Sequence, residues 1–97
     1  MEPSVTRFNP MGAGRPIERV VITVDELEAI RLKDFEGLVQ EEGAKRMGIS
    51  QPTFQRALTS ARSKIADALA NGKCIMIEGG DYVVVGRGMR RLWRRGR

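Results

Sequence analysis

Two helical patterns meet at Met47-Gly48-Ile49-Ser50, and that junction constrains the fold more tightly than any other stretch of the chain. Gly48 has no Cβ, so it can take the left-handed conformation that ends a helix. Ser50 is suited to cap the helix that follows, because its hydroxyl can accept a backbone N–H of the first turn. Pro52 fits that same turn, where a missing donor is harmless. A helix, a four-residue turn with Gly and a second helix form the supersecondary pattern of a helix-turn-helix.

The apolar positions agree with this pattern. Ala44 and Met47 are expected to face inward, with Ile49 plugging the turn. Phe54, Leu58, Ala61, Ile65 and Leu69 recur at intervals of three and four and predict one stripe of an amphipathic helix. Ala44 is small enough to let the two helices cross closely. The face opposite the stripe carries Gln51, Gln55, Arg56, Thr59, Arg62 and Ser63. Such side chains read base edges and hold phosphates. The expected base-reading set is Ser50, Gln51, Thr53, Gln55, Arg56 and Thr59. The expected phosphate-binding set is Lys45, Arg46, Arg62, Ser63 and Lys64. The bland alternative is a helical hairpin with a solvated polar face.

The run from Thr23 to Tyr82 resembles a small family of uncharacterised prokaryotic proteins, and Phe8 to Pro16 resembles that family's leader. The segments DELEAIRLKD, Gly48 to Phe54 and Ile77 to Tyr82 carry the resemblance in combination. It spans about sixty of the 97 residues. The resemblance implies DNA binding through a helix-turn-helix similar to sigma factor region four. Two positions depart from the family: Val39 stands where Ser usually caps a helix, and Gly43 stands where Ala is usual. The lost cap should cost about 1 kcal/mol and the Gly a similar amount. The first helix of the motif is therefore expected to be marginal.

A chain of 97 residues makes one domain with a modest core. One Cys and no His exclude a disulfide framework and a Cys/His metal cluster, and point to a reducing interior. No apolar run reaches the roughly eighteen residues of a membrane span, and the N-terminus lacks a signal-peptide pattern. A cytoplasmic protein without a cofactor is expected.

The net charge of +5 is strongly segregated. Residues 24–42 carry −5 and residues 43–73 carry +5, while residues 87–97 carry +6. A positive field on the second helix of the motif and on the tail would orient the molecule toward a polyanion.

Residues 1–17, with Pro and Gly throughout, read as an irregular arm in which Phe8 can dock on the core; Arg7 and Arg15, with Arg19 just beyond the arm, can follow a DNA backbone. Val20-Val21-Ile22 reads as a strand. Thr23 and Glu26 have the spacing of a capping box. The helix they open is expected over Val24 to Phe35, burying Leu27, Ile30, Leu32 and Phe35. Its carboxylates lack the partners of acid–base catalysis, since Glu28 and Arg31 are spaced as a surface pair. No enzymatic role is expected. Asn71-Gly72 should end the long helix. Lys73 to Glu78 and Tyr82 to Val85 then flank Gly79-Gly80-Asp81 and read as a β-hairpin, to which Val20–Ile22 can add a third strand. The acidic hairpin tip favours a structural or subunit-contact role over contact with phosphates. Cys74 reads as a buried small apolar residue. The last eleven residues hold six Arg and no acid, and read as a disordered tail attracted to nucleic acid, where Trp93 can stack on an unpaired base.

The expected architecture is mainly α: an arm (1–17), a three-helix domain with a small β-hairpin (18–86) and a flexible basic tail (87–97). The expected function is sequence-specific binding of double-stranded DNA by a transcriptional regulator, acting as a homodimer because one reading helix covers few base pairs. Two other functions compete with it. One is an adaptor that binds RNA polymerase or another protein through the acidic helix. The other is a general RNA or single-strand binder driven by the Arg tail.

Overall fold

The computed structural model describes residues 3, 5–12 and 17–79, together with the backbone of strands at 82–85 and 90–93. In chain order it contains β1 (Arg7–Phe8), β2 (Arg19–Thr23), α1 (Val24–Ile30), a π-helical turn (Arg31–Phe35), α2 (Gln40–Met47), α3 (Gln51–Asn71), β3 (Cys74–Glu78), β4 (Tyr82–Val85) and β5 (Arg90–Trp93). Three helices thus accompany a small three-stranded sheet in the order β1-β3-β2.

Local chemistry accounts for most helix ends. Thr23 Oγ1 accepts from Glu26 N at 3.1 Å while Thr23 N donates to Glu26 Oε1 at 2.9 Å, so the capping box is complete. At the end of α2, Gly48 sits at φ 70°. Gly48 N donates to Lys45 O at 3.1 Å and Ile49 N to Ala44 O at 3.0 Å, the paired bonds of a Schellman ending. Ser50 Oγ accepts from Thr53 N at 3.2 Å and caps α3. Gly72, at φ 67°, closes α3 in the same left-handed way.

The start of α2 is bare. Val39 has the extended backbone of an N-cap but offers no side-chain hydrogen bond, and it is 67% exposed. Val39→Ser is therefore expected to raise stability by about 1 kcal/mol. A melting curve checks this, and an unchanged or lower midpoint would contradict the assignment of the cap.

The main core joins all three helices: Ala29, Leu32, Ala44, Met47, Phe54 and Leu58 are buried together, with Ile30, Leu38, Ile49 and Ala57 packed around them. A second buried group, Ile22, Val24, Ala61, Ala68, Cys74 and Ile77, lies on the sheet and on the elements next to it.

Gly43 reverses an expectation. A Cβ at this position would lie 2.6 Å from Cζ of Phe54, whose side chain is fully buried. The Phe54 ring occupies the space that Ala would need. Gly43 is thus a site of close packing and not simply a weak point in α2.

Three further expectations need correction. First, the helix opened by Thr23 does not run regularly to Phe35. It widens into a π turn, with Glu36 N donating to Arg31 O at 2.9 Å. Fewer degrees of rotation per residue then carry Phe35 off the buried stripe, and it is 83% exposed while Leu32 stays buried. Leu27 and Ile30 are only half-buried. Second, Leu69 is 75% exposed, because Ala68 takes the inward position at that level of α3. Third, β3 does not pair with β4. One edge of β3 is taken by β2, running parallel, and the other by β1, running antiparallel, so no edge remains for a hairpin partner. β4 pairs instead with β5, so Arg90–Trp93, expected in a disordered tail, forms a strand. The arm likewise contributes β1, yet Phe8 is 51% exposed and does not dock in the core. Arg15, Gly80, Asp81 and the other residues expected in the tail lie outside the described residues.

Candidate functional site

The candidate residues lie on α2, the turn and α3 as far as Lys64. Phe54, Leu58 and Ala61 mark the buried side of α3, which leaves Gln55, Arg56, Thr59 and Ser63 on the outer side. Gln51 and Pro52 are exposed at the start of the helix. The buried crossing of α2 and α3 therefore fixes the backbone from which this polar face projects.

Polar contacts order that face. Ser50 Oγ donates to Thr53 Oγ1 at 2.9 Å, and Arg56 Nη2 donates to the same Thr53 oxygen at 3.2 Å. Gln40, the first residue of α2, donates from Nε2 to Oε1 of Gln55. Gln55 Nε2 in turn donates to Thr59 Oγ1 at 3.0 Å. Five of the six residues expected to read bases are thereby linked in two short hydrogen-bonded groups. Gln51 belongs to neither.

The expected phosphate-binding residues are more scattered. Lys45 and Arg46 lie exposed on the last turn of α2, with Arg46 Nε 3.6 Å from Glu42 Oε2. Arg62 donates twice to Asp34, at 3.1 and 2.5 Å, and this pairing holds the Asp34 carboxyl below its ordinary range. Both partners are well exposed, so the pair is open to exchange with another anion. Ser63 is exposed on the outer side of α3.

Lys64 departs from the expectation. Its ammonium lies 3.1 and 3.2 Å from the two oxygens of Glu26, and Ser60 Oγ donates to Glu26 Oε2 at 2.6 Å. Burial acts to raise the Glu26 pKa, but the hydrogen bonds from Ser60, Thr23 N and Lys64 outweigh it and hold the carboxyl below 4.5. Lys64 thus ties α3 to α1. The other inward carboxylate of α1, Glu28, is 6% exposed and accepts from Arg31 at 2.9 and 3.0 Å. Both acids are therefore used inside the molecule, Glu26 in its capping box as well, and Glu28 in the pair expected on the surface.

Gln40, Glu26 and Asp34 are the functional or supporting residues that the pattern along the chain did not single out for these contacts. Their partners are 15, 34 and 28 residues away in sequence, beyond the reach of helical periodicity. Among the described residues, no group of three or more His, Cys, Asp or Glu is placed to hold a metal ion. Nor is any helix among them long and apolar enough to cross a membrane.

Fold and site together define a small protein in which a glycine-jointed helix pair presents a polar helix face and accompanies a three-stranded sheet. The chain belongs to the family described as "Protein of unknown function DUF134", which matches residues 1–85. A UPF0251 protein of Caldanaerobacter subterraneus subsp. tengcongensis is 61% identical over 90 residues, covering 92% of this chain and 76% of the relative. One from Moorella thermoacetica is 61% identical, covering 87% of this chain and 57% of the relative. A more distant one, from Methanothermobacter thermautotrophicus, is 52% identical, with 84% and 43% covered. No solved structure matches the chain.

Proposed function

We propose that the protein binds double-stranded DNA sequence-specifically, with α2 and α3 acting as a helix-turn-helix similar to that of sigma factor region four. It acts by occupancy as a transcriptional regulator and not as an enzyme. The observation that carries this reading is the outer face at the start of α3, where Gln55, Arg56 and Thr59 project opposite the buried Phe54 and Leu58. These residue types match the donors and acceptors of base edges in a major groove, which is wide enough to admit one helix. Lys45, Arg46 and Arg62 flank the face and supply phosphate contacts, Arg62 by exchanging Asp34 for a phosphate. Because one such helix reads few base pairs, the functional unit is a homodimer on a two-fold site.

The adaptor reading draws less support, because Glu26 and Glu28 of the acidic helix are buried and bound to Lys64 and Arg31. The reading based on the Arg-rich tail rests on composition alone.

Duplex titration at several salt concentrations tests the proposal. Binding should weaken steeply with salt, each phosphate contact adding about 0.9 to the log–log slope. Removing residues 87–97 should leave most of the sequence-specific binding in place. No binding at low salt would overturn the proposal, and loss of nearly all binding with the tail would favour a general single-strand or RNA binder.

A further inference from the structure

Gln55 is held on two sides, and the hydrogen-bonding capacity it keeps is specific. A primary amide has two N–H donors and an oxygen with two lone pairs. In Gln55, one lone pair takes the N–H of Gln40 and one N–H goes to Thr59 Oγ1, 3.0 Å away. One N–H and one lone pair of the amide remain, on an exposed side chain.

We infer that Gln40 is a positioning residue that presents Gln55 to an adenine in duplex DNA. This rests on the proposed helix-turn-helix reading. In the major groove adenine offers N7 as an acceptor and the N6 amino group as a donor, which the free N–H and the free lone pair of Gln55 complement. Guanine offers two acceptors, N7 and O6, and would meet only one remaining donor. The base specificity therefore follows from how the amide is already engaged. It also spans both helices. Gln40 begins α2 and Gln55 lies in α3, so the Gly48 joint that fixes the crossing also fixes the distance between the two amides. A free Gln would have to give up several rotamers on binding, whereas this one is already ordered.

The experiment begins by selecting preferred duplexes from a randomised pool with the full chain. The wild-type protein, Gln55→Ala, Gln40→Met and the double variant are then titrated against the selected duplex and its single-base-pair variants. Two further duplexes carry 7-deazaadenine or purine at the position that Gln55 reads. Gln55→Ala is expected to lose about tenfold of the preference for one A·T pair. Gln40→Met should lose about two- to tenfold at that same pair, with an unchanged melting midpoint. The double variant should match Gln55→Ala alone, because Gln40 acts through Gln55. Both modified adenines should weaken the wild-type protein and leave Gln55→Ala indifferent. Full preference in Gln40→Met would overturn the inference, as would dependence of Gln55 on a base other than adenine. Failure to select any duplex would instead overturn the helix-turn-helix reading, and this inference with it.

Discussion

Gly43→Ala is expected to lower the melting midpoint by about 5–10 °C, and the same change should raise the midpoint once Phe54 has been shortened to Leu. Two opposing effects decide the sign. Ala is the better helix former by about 1 kcal/mol. Its Cβ, however, would sit 2.6 Å from Cζ and 2.9 Å from Cε1 of Phe54. The ring is fully buried in the cluster that joins the three helices, so it cannot swing aside as an exposed chain would. Overpacking of this kind costs about 1–3 kcal/mol, enough to exceed the propensity gain. Shortening Phe54 destabilises the protein through the cavity it leaves. In that background the added methyl fills vacated space and keeps its propensity advantage. The two substitutions are thus strongly non-additive, as expected for residues in contact. Thermal melting of the two single variants and the double variant completes the cycle. A higher midpoint for Gly43→Ala with Phe54 intact would show that the ring does not fill this space.

The same pair of residues shows where sequence reading reaches its limit. The junction at Gly48, the cap at Ser50, the capping box at Thr23 and the stripe through Phe54 and Leu58 were legible because each depends on residues within one or two turns. Helix propensity alone made Gly43 look like a defect, since its partner lies eleven positions away on another helix. The π turn escaped for a related reason: Leu27, Ile30, Leu32 and Phe35 fit an ordinary helix, and only packing selects the wider turn that leaves Phe35 exposed. The sheet was the least legible element. Strand β2 was recognisable from its β-branched residues, but β3 looked equally ready to pair with the next strand in the chain. Its pairing with β2 across the whole helical region is a non-local choice that leaves no local mark. At the site, the outward-facing residue types were readable from periodicity. Their internal ties, Gln40 to Gln55, Asp34 to Arg62 and Glu26 to Lys64, were not.

Those ties separate two residues that a charge count treats alike, and Arg56→Ala and Lys64→Ala should fail in different ways. Arg56 is exposed beside Thr53. In the proposed complex its loss should remove about 1–3 kcal/mol of preference at one base pair, while stability stays within about 0.5 kcal/mol. Lys64 should behave as a structural residue. Its removal leaves the Glu26 carboxylate, only 11% exposed, without its cation. Breaking a fully buried pair costs about 3–5 kcal/mol, but Lys64 keeps 36% of its side chain in water, which screens the interaction. A loss of about 1–2 kcal/mol is expected, with the salt dependence of DNA binding unchanged. Acid denaturation gives an independent reading. Glu26 has its folded-state pKa held below 4.5, so its contribution is fully present above that pH and is lost as pH falls through the lowered value. Taking away Lys64 removes both a hydrogen bond and an attractive charge from the carboxylate, so the lowered pKa rises back toward 4.5. The stability gap between parent and Lys64→Ala should therefore be widest above pH 4.5 and narrow as pH falls through the lowered value, the variant showing the weaker acid dependence. A Lys64→Ala variant that melts and titrates like the parent, yet loses about one unit of salt slope, would return Lys64 to the phosphate-binding set and remove it from the tie between α1 and α3.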